Sequence, residues 1–296
     1  VSIMVGQKFY IQSSNPLFKE FYKDVKDPNW PDCNNLEDFK KLPDKIQEEC
    51  IQLHNMSEWL LPKNSPYTKI IDYIKKQNNT VEILDPVSNG AHYINGAMIT
   101  RVGKDLYFGT NSYKFSRSEF QSEIDSKFTN TRNHIVNTGG HSDATFCPVA
   151  PGLILSLYDI SSYKNTFPDW EVVYLPYQSW SKVKPFLKLK VKNRGKWWIP
   201  GFEEDQDVVN VVETWLSHWT GYVEETVFDV NILIVDPKNV IVFNYNKQVF
   251  DALDRYGITP HIVPFRHRYF WDGGIHCVTS DLDRQGTMQN YFPNRG

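Results

Sequence analysis

Between Asn231 and Phe265 the sequence runs NILIVDPKNVIVFNYNKQVFDALDRYGITPHIVPF, and this succession of patterns restricts the fold more than any other stretch. Two β-branched runs meet at Asp236-Pro237-Lys238-Asn239, whose residue types suit a hairpin loop. An amphipathic segment over 246–257 follows and closes on Gly257, a fitting residue just past a helix C-terminus. A third apolar run, 259–265, completes the unit. The order hairpin, helix, strand starts again at 96–110, where GAMITRVGKDLYFGT turns at Val102-Gly103-Lys104-Asp105 and precedes a helical pattern over 116–128. One supersecondary unit repeated without sequence identity points to a pseudo-symmetric α/β domain and not to two unrelated domains.

The rest of the chain is compatible with that scheme. Strands are expected at 80–85, 153–159, 170–176 and 230–244, and further helices at 67–77 and 208–219. The stretch 27–66 is rich in Pro, Asn and Asp. It carries helical patterning in which Leu36, Phe39, Ile46, Ile51 and Leu53 fall near one face, with Pro43 breaking or starting a helix. A chain of 296 residues can bury a substantial core as one large domain or two ordinary ones. Its net charge of −3 gives no electrostatic argument for nucleic acid or an anionic membrane, and the Lys/Arg cluster at 188–196 reads as solvated surface. No apolar run approaches the roughly 20 residues that span a bilayer. The first residues lack a signal-peptide pattern, and the chain does not open on Met, so upstream residues are expected. Cys33, Cys50, Cys147 and Cys277 show no CxxC spacing, which points to free thiols in a soluble, cytoplasmic protein.

Two glycine pairs draw the chemistry together. Gly273 and Gly274 lead into His276 and Cys277, with Arg266, His267 and Arg268 just upstream. Glycine permits close approach of backbone to a ligand, and neighbouring cations favour a thiolate. A buried, inert Cys277 is the plain alternative. A thiolate nucleophile needs a positioned acid/base, and GGHSDATFCPVAPG at 139–152 supplies His141 with Asp143 two residues on. In an extended segment those side chains share a face. By the same alternation Thr279 shares the face of Cys277, whereas His276 turns away. An ordinary surface loop is the alternative for His141 and Asp143, and a simple turn is the alternative for Asn95 at the start of the 96–110 hairpin. Cys147 reads as structural.

The two stretches together, GGHSDATFCPVAPGLILS and FRHRYFWDGGIHCVTSDLDRQGTMQ, resemble the glycine amidinotransferase family of the pentein superfamily. The tail Arg284, Gly286, Thr287, Gln289 belongs to the same pattern, and the resemblance covers about 93–296. It implies one pentein-type catalytic domain over 1–296, with a first module that is incomplete or divergent. The implied fold is a five-bladed α/β propeller of ββαβ modules. It implies that Cys277 attacks the guanidinium carbon of a donor such as arginine to form an amidino-thioether, that His141 shuttles protons, and that Asp143 holds the guanidinium. Gly274, Thr279 and Asn231 are the further substrate-binding candidates. The resemblance implies no metal and no organic cofactor, small-molecule partners only (an arginine-like donor and an amine acceptor), and a possible homodimer.

Several positions depart from the family pattern. The acid behind the catalytic histidine is Asn95 here; its amide oxygen can still orient an imidazole but brings no charge. Met98 replaces a second acid. The upstream Arg–Asp pair falls before Val1, and the arginine that grips a substrate carboxylate aligns near Ile160, which puts an α-amino acid acceptor in doubt. Three readings follow: an amidinotransferase, a pentein guanidino hydrolase using the same Cys–His pair, and a catalytically weakened guanidino-binding pentein.

Overall fold

The computed structural model describes residues 2–5, 8–12, 41–45, 66–77, 79–84, 94, 96–110, 116–176, 181–182, 188, 191–192, 204–210, 222–223, 229–265, 273–282 and 287–295. Strands β1 (Ser2–Val5) and β2 (Lys8–Gln12) are followed by helix α1 (Pro66–Lys76) and β3 (Thr80–Leu84). Strands β4 (Ile99–Val102) and β5 (Asp105–Thr110) precede α2 (Arg117–Lys127) and β6 (Arg132–Asn137). Next come β7 (Phe146–Ala150), β8 (Leu153–Ser156), α3 (Tyr163–Thr166) and β9 (Glu171–Tyr174). The short β10 (Ser181–Lys182), α4 (Gln206–Asn210) and β11 (Tyr222–Val223) lead to β12 (Leu233–Asp236), β13 (Asn239–Val242), α5 (Lys247–Arg255) and β14 (Thr259–Ile262).

The expected repeat is present. Four three-stranded sheets are described, in the orders β1-β2-β3, β4-β5-β6, β7-β8-β9 and β12-β13-β14, besides the two-stranded β10-β11. In three of them the first two strands are antiparallel and the third lies parallel to the second. A parallel return needs a crossover connection of a dozen or more residues, and α1, α3 and α5 each lie within one of these returns.

The chain forms two compact units. The first comprises Val1–Tyr107, Tyr113–Ile135 and Asp281–Gly296; the second comprises Phe108–Ser112 and Val136–Ser280.

In the first unit a buried carboxylate organises the end of the chain. Asp105 is fully buried and accepts from Arg132 Nη2 at 2.6 Å, His134 Nε2 at 2.7 Å and Arg295 Nη1 at 3.0 Å. Burial alone would raise its pKa, but the hydrogen bonds from His134, Arg132 and Arg295 hold it below the usual value. Arg132 Nη1 also donates to the carbonyls of Phe292 (2.9 Å) and Arg295 (3.0 Å), so the carboxylate cluster pins the last residues beside the β4–β5 hairpin.

In the second unit β7 to β9, β13 and α5 share one apolar core, in which Leu153, Leu155, Val173, Ile232, Val240 and Leu253 are buried. Helix α5 shows why this segment folds as the sequence indicates. Asn246 Oδ1 accepts from the N–H groups of Gln248 and Val249 at the N-terminus. At the other end Gly257 adopts φ +66°, with Gly257 N–H bonded to Asp254 O and Ile258 N–H to Leu253 O. That is a Schellman closure, which needs the left-handed residue glycine supplies. Val249, Ala252 and Leu253, spaced i, i+3, i+4, are the buried stripe.

Strand and helix limits otherwise lie within a few residues of expectation. For the helix expected at 208–219, only 206–210 is described; most of the pattern at 36–53 lies outside the described residues. Strands β1, β2, β6, β7, β10 and β11 and the single-turn α3 have no counterpart among the expected elements. Among the described residues no helix is long and apolar enough to cross a membrane.

Candidate active site

One asparagine joins three segments of the second unit. Asn231 precedes β12 and is almost wholly buried. Its Nδ2 donates to the backbone carbonyl of Asp143 at 3.0 Å and to Cys277 Sγ at 3.1 Å, and its Oδ1 accepts Cys277 N–H at 3.0 Å. Both amide hydrogens and the carbonyl are thus engaged within the protein. Gly274 makes this possible: a Cβ there would lie 2.4 Å from Asn231 Cβ and Oδ1. The space left by the glycine receives the asparagine, whereas the sequence reading assigned it to a ligand.

Around this anchor Asp143, His276 and Cys277 converge. Asp143 Oδ2 accepts from His276 Nδ1 at 2.9 Å, and Cys277 Sγ lies 3.5 Å from the same oxygen. Asp143 Oδ1 is buried and has no hydrogen-bond partner among the described residues. An ionised carboxylate offers about four acceptor sites, so this oxygen has room for a donor that no described residue supplies.

The charges in the cluster oppose one another. Burial would raise the Asp143 pKa, but the hydrogen bond and charge of His276 hold the carboxyl below its usual value. Cys277 is exposed as a residue, yet desolvation around its sulfur, with the negative Asp143 beside it, pushes the thiol up to about 12. The neighbouring cations expected to favour a thiolate, Arg266, His267 and Arg268, lie outside the described residues. Cys147 is the other described free thiol; it packs against the apolar core and burial pushes it up to about 12, as befits a structural cysteine.

Two expectations from strand alternation are corrected. Ser142–Ala144 forms a 3-10 turn with His141 at its N-cap, so spacing of two does not put His141 and Asp143 on one face there. Residues 275–278 also form a turn, which brings His276 and Cys277 to the same carboxylate oxygen. Thr279 closes that turn: its N–H and its Oγ1 each lie 3.1 Å from the His276 carbonyl, and Oγ1 is also 3.1 Å from Ile275 O.

The His141 loop is held by neighbouring hydroxyls. Thr145 Oγ1 donates to the carbonyls of Thr138 and His141, both at 3.2 Å, and Tyr158 OH donates to Thr138 O at 2.8 Å. The His141 ring is exposed and has no hydrogen bond among the described residues; its expected partner Asn95 lies outside them. The contact of His276 with Asp143 and the supports from Thr138, Thr145 and Tyr158 have no counterpart among the expectations from sequence. A histidine adjacent to the nucleophile was the available signal, and assuming an extended chain discarded it. Among the described residues no group of three or more His, Cys, Asp or Glu is arranged to hold a metal.

No family model matches the chain. It is 29% identical over 152 residues to the mitochondrial glycine amidinotransferase of Xenopus tropicalis, which is 51% of this chain and 28% of that protein. It is 22% identical over 203 residues to the L-arginine:L-lysine amidinotransferase of Pseudomonas savastanoi pv. phaseolicola, 66% of this chain and 46% of that one. The chain therefore spans less than half the length of these two curated relatives. In three dimensions it is similar to the inosamine-phosphate amidinotransferase of Streptomyces griseus, with a TM-score of 0.53, 15% identity, and 98% of this chain and 68% of that chain covered. An amidinotransferase of the saxitoxin biosynthetic pathway from Microseira wollei gives a TM-score of 0.51 at 19% identity, over 76% of this chain and 64% of that one. The fold is the α/β fold of these two amidinotransferase structures.

Proposed function

We propose that this chain, which resembles amidinotransferases in sequence and fold, moves an amidino group from a guanidino donor, arginine, to an amine acceptor through a covalent amidino-cysteine intermediate. The observation that carries the reading is the buried, unpartnered Oδ1 of Asp143 in the same cluster as the Cys277 thiol. A guanidinium brings what this cluster lacks: N–H donors for Oδ1 and a positive charge to offset the carboxylate that, added to burial, keeps the thiol protonated.

The chemistry follows from that pairing. The bound cation lowers the cost of ionising Cys277, and His141 takes the thiol proton. Sγ attacks the guanidinium carbon, the carbon–nitrogen bond to the leaving amine breaks, and His141 returns the proton to that amine. The acceptor amine then gives a proton to His141 and attacks the amidino carbon. The carbon–sulfur bond breaks, and Sγ recovers a proton. The Asn231 Nδ2–H on Sγ favours the thiolate both as nucleophile and as leaving group. Asn95 is assigned to orient the His141 imidazole through its amide oxygen.

The proposal extends to a single catalytic domain over 1–296, its ββαβ modules arranged as a five-bladed propeller. It acts on small molecules in the cytoplasm, needs no metal or organic cofactor, and assembles as a homodimer. Incubation with labelled arginine and a panel of amines tests the reaction. Ornithine with a guanidino product supports transfer; citrulline with ammonia replaces it by hydrolysis; neither product, with no adduct on Cys277, leaves guanidino binding alone.

A further inference from the structure

The carboxylate of Asp143 is used unequally. Oδ2 meets both His276 Nδ1 and the Cys277 thiol, whereas Oδ1 is buried and meets nothing among the described residues. We propose that His276 is a positioning residue, whose hydrogen bond on Oδ2 reserves Oδ1 for the cationic group of the substrate. The inference rests on the amidino-transfer reading for the identity of that cation.

The geometry defines the state of the ring. An ionised carboxylate only accepts, so the nitrogen 2.9 Å from it carries the hydrogen, and neutral His276 is the Nδ1–H tautomer. The side chain is 52% exposed while that of Asp143 is 16% exposed, so the histidine is the solvent-facing partner of a nearly buried acid. Its backbone is fixed as firmly as the nucleophile's: Thr279 engages the His276 carbonyl, and the next N–H, that of Cys277, is held by Asn231. Ring, thiol and carboxylate therefore keep one relative placement. Among the described residues, the titratable groups that meet the carboxylate are His276 and Cys277, and Cys147 feels its charge from the core.

Without the ring, both oxygens are open. A planar guanidinium then binds across them in the two-pronged manner that carboxylates favour. Affinity survives, but the carbon is displaced from the line of attack of Sγ. A misplacement of about 1 Å costs roughly 100-fold in rate. His276 thus sets the turnover number and not the affinity, which separates it from a residue that merely stabilises the fold.

Steady-state kinetics with arginine as donor, on the full chain, compares His276→Leu with His276→Asn, whose Nδ2–H occupies the place of Nδ1–H. The expected result is a loss in kcat approaching 100-fold for His276→Leu, with KM for arginine unchanged or lower. His276→Asn recovers most of that loss. Nitrogen-15 NMR of the ring in the unaltered protein shows the Nδ1–H tautomer when His276 is neutral. A raised KM with kcat preserved, an asparagine variant no better than leucine, or an Nε2–H tautomer overturns the proposal. Absence of turnover in the unaltered protein strikes the amidino-transfer reading itself; the ring tautomer then still decides whether His276 holds Asp143.

Discussion

Asp143→Asn separates the two effects assigned to this carboxylate, because it changes them in opposite directions. The substitution keeps the shape and an oxygen that can accept from His276, but removes the negative charge 3.5 Å from Cys277 Sγ. At that distance a unit charge opposes a thiolate by about 1 kcal/mol in water and about 5 kcal/mol at an effective dielectric of 20. Cys277 is exposed as a residue but its sulfur is desolvated, so at least the lower value applies. About 1.4 kcal/mol corresponds to one pKa unit, and the thiol, now at about 12, should fall by roughly one unit. Alkylation by iodoacetamide, followed on the Cys277 peptide by mass spectrometry at one fixed pH below the thiol's pKa, should therefore quicken about 10-fold, since rate follows the thiolate fraction. Amidino transfer should fall at least 30-fold, because a charge-assisted hydrogen bond worth about 2 kcal/mol or more to the cation is lost. Unchanged or slower alkylation would refute the assignment of Asp143 as a group that, beside burial, raises the thiol's pKa, whatever happened to turnover.

Other consequences concern the scaffold. Gly274→Ala would drive a methyl group into the buried Asn231; overpacking there costs about 1–3 kcal/mol, so the thermal midpoint should drop and transfer should fall more than 10-fold. The Asp105 carboxyl, held below its usual pKa, stabilises the fold above the unfolded value of about 3.9, and that contribution is lost as pH falls through the lower folded value. Asp105→Asn should cost about 3–5 kcal/mol at neutral pH, by leaving the Arg132 and Arg295 charges uncompensated, and should flatten the acid limb of a urea-midpoint profile. An unaltered midpoint would show that the cluster is not structural.

The parts of the fold that the sequence announced are those in which local chemistry and tertiary packing agree. The turn residues between β12 and β13, the Asn246 cap and Gly257 each act within a few residues, so their effect is readable along the chain. Strand β6, Arg132–Asn137, is too polar to show a strand pattern; its Arg132 and His134 serve the distant Asp105. Strand β7 carries Pro148 and a register shift between Pro148 and Ala150, which interrupts the expected alternation. The same division holds in the site. Cys277 and Asp143 were legible as residue types in glycine-marked motifs. The clamp made by Asn231 spans 88 residues to Asp143 and 46 to Cys277, and no sequence periodicity reports such a contact. His276 was misjudged because two side chains that alternate in a strand converge in a turn.

The central claim is that Cys277 receives the amidino group. Intact-protein and peptide mass spectrometry after rapid mixing with isotope-labelled arginine, quenched in acid, tests it most directly. The account predicts a labelled mass increase of one amidino group on the Cys277 peptide, lost when an acceptor amine is added and absent from Cys277→Ala, which remains folded. Turnover that persists in Cys277→Ala, or label that reaches product while the Cys277 peptide stays unmodified at every quench time, would contradict it.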